Sequence, residues 1–307
     1  MIYKTFPSTG WQLSAIGMGC WGIGGQWGKV EASEAFGAME RAIDGGMNFF
    51  DTADAYGVEL GSSETMLGRF LAGRRHQVYL ITKLGYWGRR QGAQIAITHP
   101  CQLQVFCDAS LYRLRTDVID LYLCHVDDCP NPEVYLEGFE KLKQQGKIRA
   151  YGVSTDSFQV AQAFHKAGTC AAIELGYSLL NHGARREMLP FCRKEKIGTV
   201  IRGPLAQGLL TGKFTAESTF SDQVRASWNT GDGRAAFLEK VRRVDRLRAI
   251  AGDRPLTAFA LRALIEDPDV SAIIPGAKSA AQVGDHLEAL SIPWTQDDSS
   301  AIACLEL

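Results

Sequence analysis

The sequence predicts an α/β protein built as a (β/α)8 TIM barrel, with an N-terminal β-hairpin and with a long loop and an extra helix after strand 7. Three observations support this prediction. Eight short apolar runs recur along the 307 residues, stretches of helical periodicity separate them, and the length exceeds the usual size of such a barrel, about 250 residues, by about fifty. Because no Pro-, Gly- or Ser-rich linker divides the chain, we expect one domain over residues 1–307.

The hairpin is the first element. Residues 3–6 and 11–14 form two short strand-like segments, and Pro7-Ser8-Thr9-Gly10 between them has turn composition. The eight apolar runs follow and are too continuous for strands with one exposed face, so we expect parallel strands that are covered on both sides. They occupy residues 15–20, 47–52, 78–84, 118–125, 148–154, 171–177, 198–204 and 271–276.

Amphipathic stretches between these runs predict the barrel helices. Gly45-Gly46 after the first and Asp267-Pro268 after the seventh are stop signals. The chain in excess of a plain barrel lies mostly at residues 207–233, and a further amphipathic stretch at 235–250 follows it. The eight barrel helices are predicted at residues 32–44, 63–71, 102–114, 132–144, 157–166, 184–195, 257–266 and 280–290.

An open doubly wound sheet uses the same alternation of strands and helices. Its mark is a Gly-x-Gly-x-x-Gly turn between the first strand and a helix. Gly17, Gly19 and Gly22 have this spacing, but more glycines follow them instead of a helix. The context therefore favours the barrel.

The composition of the chain limits the classes of partner that it is expected to bind. The formal net charge of −1, from 33 Lys and Arg against 34 Asp and Glu, gives no basic surplus for nucleic acid or an anionic membrane. The eight cysteines form no Cys-x-x-Cys pair, no apolar run reaches the length of a membrane span, and the first residues do not resemble a signal peptide. We therefore expect a cytoplasmic protein with reduced thiols that acts on a small molecule. The sequence leaves its oligomeric state open.

A metal centre is a weak alternative. Cys124, His125 and Cys129 lie close together in the sequence. No second spaced pair and no His-Glu-x-x-His motif accompanies them, so we expect no metal.

Polar residues at the ends of the apolar runs are the first candidates for chemistry, because the active site of such a barrel lies at the carboxyl ends of its strands. Asp51, Lys83 and His125 close the second, third and fourth runs, and Tyr56 lies in the loop after Asp51. Each residue alone has a simpler explanation, such as a surface charge, a core histidine or a loop anchor. Their occurrence at consecutive strand ends favours a shared site.

These four residues suit the reduction of a carbonyl group. Asp51 and Lys83 on neighbouring strands would compensate each other's burial. The ammonium of Lys83 would lower the pKa of Tyr56 from about 10 towards neutral pH, so that Tyr56 exchanges a proton with a carbonyl oxygen as a general acid. His125 would hydrogen-bond the same oxygen and orient the substrate.

Six segments follow one another along the chain: FDTADAYG at 50–57, ITK at 81–83, DVIDLYLCH at 117–125, GKIR at 146–149 with GVS at 152–154, PLAQGLLTGK at 204–213 and IPGAK at 274–278. Together they resemble the aldo-keto reductase family, and the resemblance runs from about residue 3 to residue 290. Any one matching segment is weak, but six in order are strong.

The resemblance implies hydride transfer to or from a nicotinamide cofactor, usually NADPH/NADP, with NAD possible. It assigns Tyr56 as the general acid, Lys83 and Asp51 as its tuning pair, and His125 as the donor that orients the substrate. The resemblance also assigns cofactor-binding residues, which are grouped here by the part of the cofactor that they would bind. These are Ser154 and Glu174 for the carboxamide, Tyr177 for stacking on the ring, Pro204, Leu205, Gln207, Gly208 and Lys213 for the pyrophosphate, and Lys278, Ser279 and Gln282 for the adenosine ribose and its 2′-phosphate, with Asp285 nearby.

The last of these regions also has a physical interpretation of its own. Gly276 ends the eighth run, Lys278 is a cation, and Ser279 is a plausible N-cap, so a phosphate there would meet a positive charge and free backbone donors. An ordinary capped surface helix is the alternative. Lys278 stands where many family members have arginine, so a preference for the 2′-phosphate is expected to be modest.

Other departures lie at both ends of the cofactor. Thr155 follows Ser154 where the family commonly has Asn, Glu174 stands where it has Gln, and His286 stands where it has Asn near the adenine. Glu174 accepts hydrogen bonds as Gln does but cannot donate, and its charge would stabilise an oxidised, positively charged nicotinamide.

The substrate pocket is expected among aromatic residues of the strand-to-helix loops, namely Trp21, Trp27, Tyr86 and Trp87, which suit an aldehyde, ketone or keto-sugar. Two alternatives stay open. One is a sugar or polyol dehydrogenase that works in the oxidative direction, which Glu174 favours. The other is an accessory or redox-sensing subunit that binds the cofactor but turns over poorly.

Overall fold

The computed structural model describes residues 1–93, 95–222 and 224–304, with the backbone alone at residue 89. A hairpin of β1 (Tyr3–Thr5) and β2 (Gln12–Ser14) precedes eight parallel strands. The last three residues of the expected domain lie outside the described residues. The parallel strands are β3 Met18–Gly19, β4 Phe49–Asp51, β5 Tyr79–Leu84, β6 Ile119–Cys124, β7 Ile148–Ser154, β8 Ala172–Gly176, β9 Gly198–Arg202 and β10 Ala272–Ile273.

The strands follow one another around the sheet in chain order, and the first meets the last. Parallel bridges join Ile16 to Ile273 and Gly19 to Gly276. Across this seam the amide of Gly17 donates to the carbonyl of Ile273 at 2.9 Å. The sheet therefore closes on itself, which confirms the barrel and excludes the open doubly wound sheet.

Helices cover the outside of the barrel, as the periodicity predicts, and the predicted extra helix after strand 7 is present as α8. None of the helices among the described residues combines the length and the apolar character that a bilayer span requires. The helices are α1 Ala32–Asp44, α2 Ser62–Phe70, α3 Trp87–Arg90, α4 Pro100–Leu114, α5 Pro132–Gln144, α6 Phe158–His165, α7 Met188–Glu195, α8 Gly231–Ala251, α9 Leu256–Glu266, α10 Ala280–Glu288 and α11 Gln296–Cys304.

Some predicted boundaries were wrong for local reasons. Helix α4 begins two residues before the predicted residue 102, because Pro100 suits the first turn and the ring of His99 accepts from the amide of Cys101 at 3.2 Å. The segment predicted as a helix from residue 184 starts as a 3-10 turn, Gly183–Arg185, and becomes α-helical only at Met188. Helices α3 and α11 were not predicted.

Apolar residues fill the barrel interior and close its amino-terminal end. Phe6 and Leu13 of the hairpin pack with Phe49, Leu121 and Val200 from the strands. The hydroxyl of Ser8 donates to the carbonyl of Ala171, just before β8, at 2.5 Å. Because the hairpin covers this end, the polar strand ends are free to form a site at the opposite end.

The packing of the hairpin against the barrel requires that the first residue of β9 has no side chain. A Cβ atom on Gly198 would lie 2.0 Å from Cζ of Phe6. We predict that Gly198→Ala lowers the free energy of unfolding by about 1–3 kcal/mol, because the Phe6 ring must move out of a packed core. Chemical denaturation monitored by circular dichroism measures this change.

Gly37→Ala is the matched control. Gly37 lies in the interior of α1, and no atom lies within 4 Å of the point that a Cβ atom would occupy, so the change should raise stability by up to about 1 kcal/mol. Equal stability of the two variants would contradict the role given to Phe6.

Candidate active site

The centre of the site is the ammonium group of Lys83, on β5. Nζ donates to Oδ1 and Oδ2 of Asp51, at the end of β4, at 2.7 and 2.6 Å. It also donates to the carbonyl of Thr52 at 2.9 Å. The Lys83 side chain is 0% exposed, and a charge so deeply buried is tolerated only with partners of this kind.

Glu174 brings a second carboxylate to the same ammonium. Its Oε2 lies 3.2 Å from Nζ of Lys83, and the hydroxyl of Ser154 donates to its Oε1 at 3.1 Å. Ser154 and Glu174 are register partners on β7 and β8, which explains their contact. Burial and the negative charge of Glu174 raise the pKa of Asp51 well above its ordinary value, against the opposing effect of Lys83.

Tyr56 lies over this group. Its hydroxyl is 3.5 Å from Nζ of Lys83, and the ammonium lies 5.0 Å from its ring centroid. The expected lowering of the Tyr56 pKa was wrong for the protein without ligand. Burial raises the pKa of Tyr56 above its ordinary value, and the pull of Lys83 in the other direction is weakened by Asp51 and Glu174. Tyr56 is therefore a neutral phenol that carries its proton.

His125 completes the group of four. It follows β6, and its amide donates to the carbonyl of Leu84 at 2.7 Å, which fixes it beside β5. Its ring meets Tyr56 edge to face at 6.0 Å between centroids. Burial and the positive charges of Lys83 and Arg202 lower the pKa of His125 well below its ordinary value, so the imidazole is neutral at pH 7.

Three of the four predicted pocket aromatics are in ring contact around this group. Trp21 stacks on Tyr56 at 5.8 Å and meets Trp27 at 4.9 Å, and Tyr86 lies 5.0 Å from His125. Trp87 is part-buried and begins the short helix α3.

Gln26 is a positioning residue that sequence reasoning missed. Its Oε1 accepts from Nε1 of Trp21 at 2.7 Å and from the amide of Gly57 at 2.9 Å. One side chain thus ties Trp21 to the loop that carries Tyr56. A glutamine within a glycine-rich loop carries no local signal of such a role.

Arg202 was also missed, although the rule that found Asp51 and Lys83 could have found it. It ends β9 at the carboxyl end of the barrel and donates to Oδ2 of Asp156 at 2.5 Å. Its positive charge contributes to the low pKa of His125.

The segment assigned by resemblance to a pyrophosphate follows β9. Pro204 and Leu205 are buried, and the chain then turns sharply, with φ of 57° at Gln207 and 91° at Gly208. Lys213, beyond this turn, is exposed. Such a turn brings main-chain groups rather than side chains to the surface of the site.

Cations from three segments gather near this turn. Burial and the charges of Arg225 and Lys278 lower the pKa of Lys213. Nζ of Lys278 donates to the carbonyl of Trp27 at 2.9 Å, and Arg225 lies over the Trp27 ring and pairs with Asp222. An anion bound among these cations would relieve their mutual repulsion, so the residues present fit a phosphate-bearing ligand.

The start of α10 lies beside Lys278. Ser279 is the N-cap, and its side chain accepts from the amide of Gln282 at 3.3 Å, as predicted. Oε1 of Gln282 in turn accepts from the amide of Lys278 at 2.9 Å. Gly276 is exposed before this segment, and Asp285 on α10 is exposed as well.

Tyr177 has a different setting from the other assigned residues. Its ring is 1% exposed, with the guanidinium of Arg185 over it. Its hydroxyl donates to Oδ2 of Asp267 at 2.8 Å and accepts from Nε of Arg185. The assignment of Tyr177 to stacking on the nicotinamide ring stays a prediction.

Comparisons with known proteins show which family the chain is similar to. The model of the aldo/keto reductase family matches residues 15–306. The aldo-keto reductase YhdN of Bacillus subtilis (strain 168) is 33% identical over 305 residues, which cover 96% of this chain and 90% of that protein. The aldo-keto reductase yakc [NADP(+)] of Schizosaccharomyces pombe is 27% identical over 91% of this chain and 84% of that protein.

Solved structures show the same similarity. The glycerol dehydrogenase AKR11B4 from Gluconobacter oxydans is 27% identical with a TM-score of 0.82, over 98% of this chain and 94% of that chain. An aldo/keto reductase from Klebsiella pneumoniae, solved in complex with NADP and acetate, is 25% identical with a TM-score of 0.74, over 97% and 93%.

Buried neutral histidines predict a loss of stability in acid. Burial lowers the pKa of His286, on α10, to about 4 from an ordinary value of 6.5. Between these values the unfolded chain binds more protons than the folded one, so stability falls as pH falls. One histidine with this pKa lowers the free energy of unfolding by about 2 kcal/mol between pH 7 and pH 5.

We therefore expect His286→Asn to flatten the dependence of the unfolding free energy on pH by about this amount. Urea titrations of both proteins at pH 7 and pH 5 measure it, and each protein is its own control because only the difference between pH values is compared. An unchanged slope would show that the pKa of His286 is the same in the folded and the unfolded chain.

Proposed function

The chain belongs to the aldo/keto reductase family, and from this premise we propose that it transfers a hydride between NADP(H) and an aldehyde, ketone or keto-sugar. The observation that carries the proposal is the contact of Tyr56 with a buried, ion-paired lysine. The hydroxyl lies 3.5 Å from Nζ of Lys83, which Asp51 holds at 2.6 Å. His125 adjoins the same ring.

The proposed cofactor is NADPH/NADP. Two relatives support it through their names, one with NADP(+) in its name and one solved in complex with NADP. When bound, the cofactor would supply or accept the hydride. Lys213 and Lys278 would neutralise phosphate charge, and Ser279 and Gln282 would meet the ribose and its 2′-phosphate at the start of α10. NAD stays a second possibility, because Lys278 lacks the fork of an arginine.

Tyr56 would act as the general acid. As a neutral phenol it has a proton to donate to the carbonyl oxygen while the carbon is reduced. Its high pKa without ligand makes this proton costly to remove, and Lys83 offsets that cost because its ammonium stabilises the phenolate as it forms. Asp51 would keep Lys83 charged and in place. In the oxidative direction the same groups would accept the proton.

His125 would orient the substrate. A neutral imidazole has one N–H donor, which can reach the oxygen that Tyr56 protonates. The aromatic side chains of Trp21, Trp27, Tyr86 and Trp87 would bind the apolar part of the substrate and exclude water.

A polyol dehydrogenase that works in the oxidative direction is the second candidate. Two observations favour it: one structural neighbour is a glycerol dehydrogenase, and Glu174 places negative charge in the site. Initial rates with NADPH and carbonyl compounds, and with NADP+ and polyols, at one pH compare the two directions. Cofactor binding without turnover in either panel would favour the accessory-subunit alternative.

Replacing Tyr56 tests the assigned chemistry. We predict that Tyr56→Phe lowers kcat by at least about 100-fold, because the proton donor is lost. NADPH affinity should stay within about twofold, because the Tyr56 hydroxyl is assigned to the carbonyl and not to the phosphates. NADPH fluorescence measures binding, and absorbance loss with a carbonyl panel measures turnover.

Tyr112→Phe is the matched control, because the Tyr112 side chain on α4 is 86% exposed. This substitution should change neither kcat nor the affinity for NADPH. Turnover of Tyr56→Phe equal to that of the control would remove Tyr56 from the proposed role.

A further inference from the structure

We propose that Glu174 is a specificity-determining residue that makes this protein bind the oxidised cofactor in preference to the reduced one. The inference rests on the proposed function, since it assumes that the nicotinamide lies near the group around Lys83. It goes further by naming the residue that distinguishes the two redox forms.

The first step is the count of buried charges. Asp51, Lys83 and Glu174 have exposed fractions of 2%, 0% and 0%. With both carboxylates ionised, two negative charges face one ammonium. The group then carries a net negative charge that is almost fully buried.

The second step is the hydrogen bonding of Lys83. An ammonium has three protons, and the three shortest contacts of Nζ are the two carboxylate oxygens of Asp51 and the carbonyl of Thr52. This explains why Oε2 of Glu174, although 3.2 Å from Nζ, has no hydrogen-bond partner among the described residues. Asp51 therefore accepts two of the three shortest hydrogen bonds from Lys83, and one oxygen of Glu174 has no hydrogen-bond donor among the described residues.

The third step is the surroundings of Glu174. Ser154 on β7 donates to its other oxygen, Lys83 on β5 faces Oε2, and Asp51 on β4 pairs with the same lysine. Tyr56 and His125 are uncharged beyond them. The raised pKa of Asp51 has burial and Glu174 as its two largest causes, which fits two carboxylates competing for one cation.

Such a carboxylate favours a neighbouring positive charge. The oxidised nicotinamide ring is cationic and the reduced ring is neutral, so Glu174 would strengthen binding of NADP+ and leave NADPH nearly unaffected. The overall equilibrium of the reaction would not change, but release of NADP+ after carbonyl reduction would become slower.

The test compares dissociation constants rather than rates. Equilibrium binding of NADP+ and of NADPH is measured by calorimetry with the full chain at pH 8, for the unchanged protein and for Glu174→Gln. Glutamine keeps the size and one acceptor but removes the charge. The ratio of the NADPH to the NADP+ dissociation constant should fall about tenfold in the variant.

Two further variants separate charge from shape. Glu174→Asp keeps the charge and should retain most of the preference. Glu137→Gln removes an exposed carboxylate on α5, and it should leave both dissociation constants unchanged. Glu174→Gln should fold, because it removes a like charge beside Asp51, and circular dichroism checks this.

The outcomes are distinguishable. An unchanged ratio in Glu174→Gln, or an equal loss in Glu174→Asp and Glu174→Gln, would overturn the inference and leave the proposed function intact. If the unchanged protein bound neither NADP+ nor NADPH, the proposed function itself would fail. A lowered ratio with Gln that Asp restores supports the role of Glu174.

Discussion

The ion pair between Lys83 and Asp51 is the constraint on which the rest of the site depends. It joins the ends of β4 and β5 at 2.6 Å, in a place where the Lys83 side chain is 0% exposed. Removing one partner would leave an uncompensated buried charge, which typically costs about 3–5 kcal/mol. The Tyr56 hydroxyl and Oε2 of Glu174 lie 3.5 and 3.2 Å from this fixed ammonium. The barrel makes the pair possible, because it brings parallel strand ends together and excludes water beneath them.

The two ends of the barrel have opposite character. At the amino-terminal end, Phe6 and Leu13 of the hairpin close the interior with apolar contacts. At the carboxyl end, strands finish in the polar residues Asp51, Ser154 and Arg202. Stability and chemistry are thus separated along the barrel axis. A substitution among the hairpin residues that close the amino-terminal end is expected to change the free energy of unfolding. A substitution at the carboxyl end instead changes the electrostatic potential around Lys83.

Much of this arrangement could be predicted from the sequence. Apolar runs and helical periodicity predicted the closed barrel and α8, and the strand-end rule brought together Asp51, Lys83, Tyr56 and His125. Three things could not be predicted in this way. The capping ring of His99 and the bridging amide of Gln26 depend on side-chain contacts that leave no periodic trace. The pKa of Tyr56 depends on burial, which the sequence does not quantify and which here outweighs Lys83.

The most direct test of the central claim is the ionisation of Tyr56 in the protein without ligand. Tyrosine labelled with 13C at Cζ reports phenol and phenolate by chemical shift, and Tyr56→Phe assigns the signal. We expect the Tyr56 signal to stay that of a phenol from about pH 6 to about pH 10, because burial and the carboxylates of Asp51 and Glu174 outweigh the ammonium. A titration of Tyr56 with a midpoint near neutral pH would contradict the account.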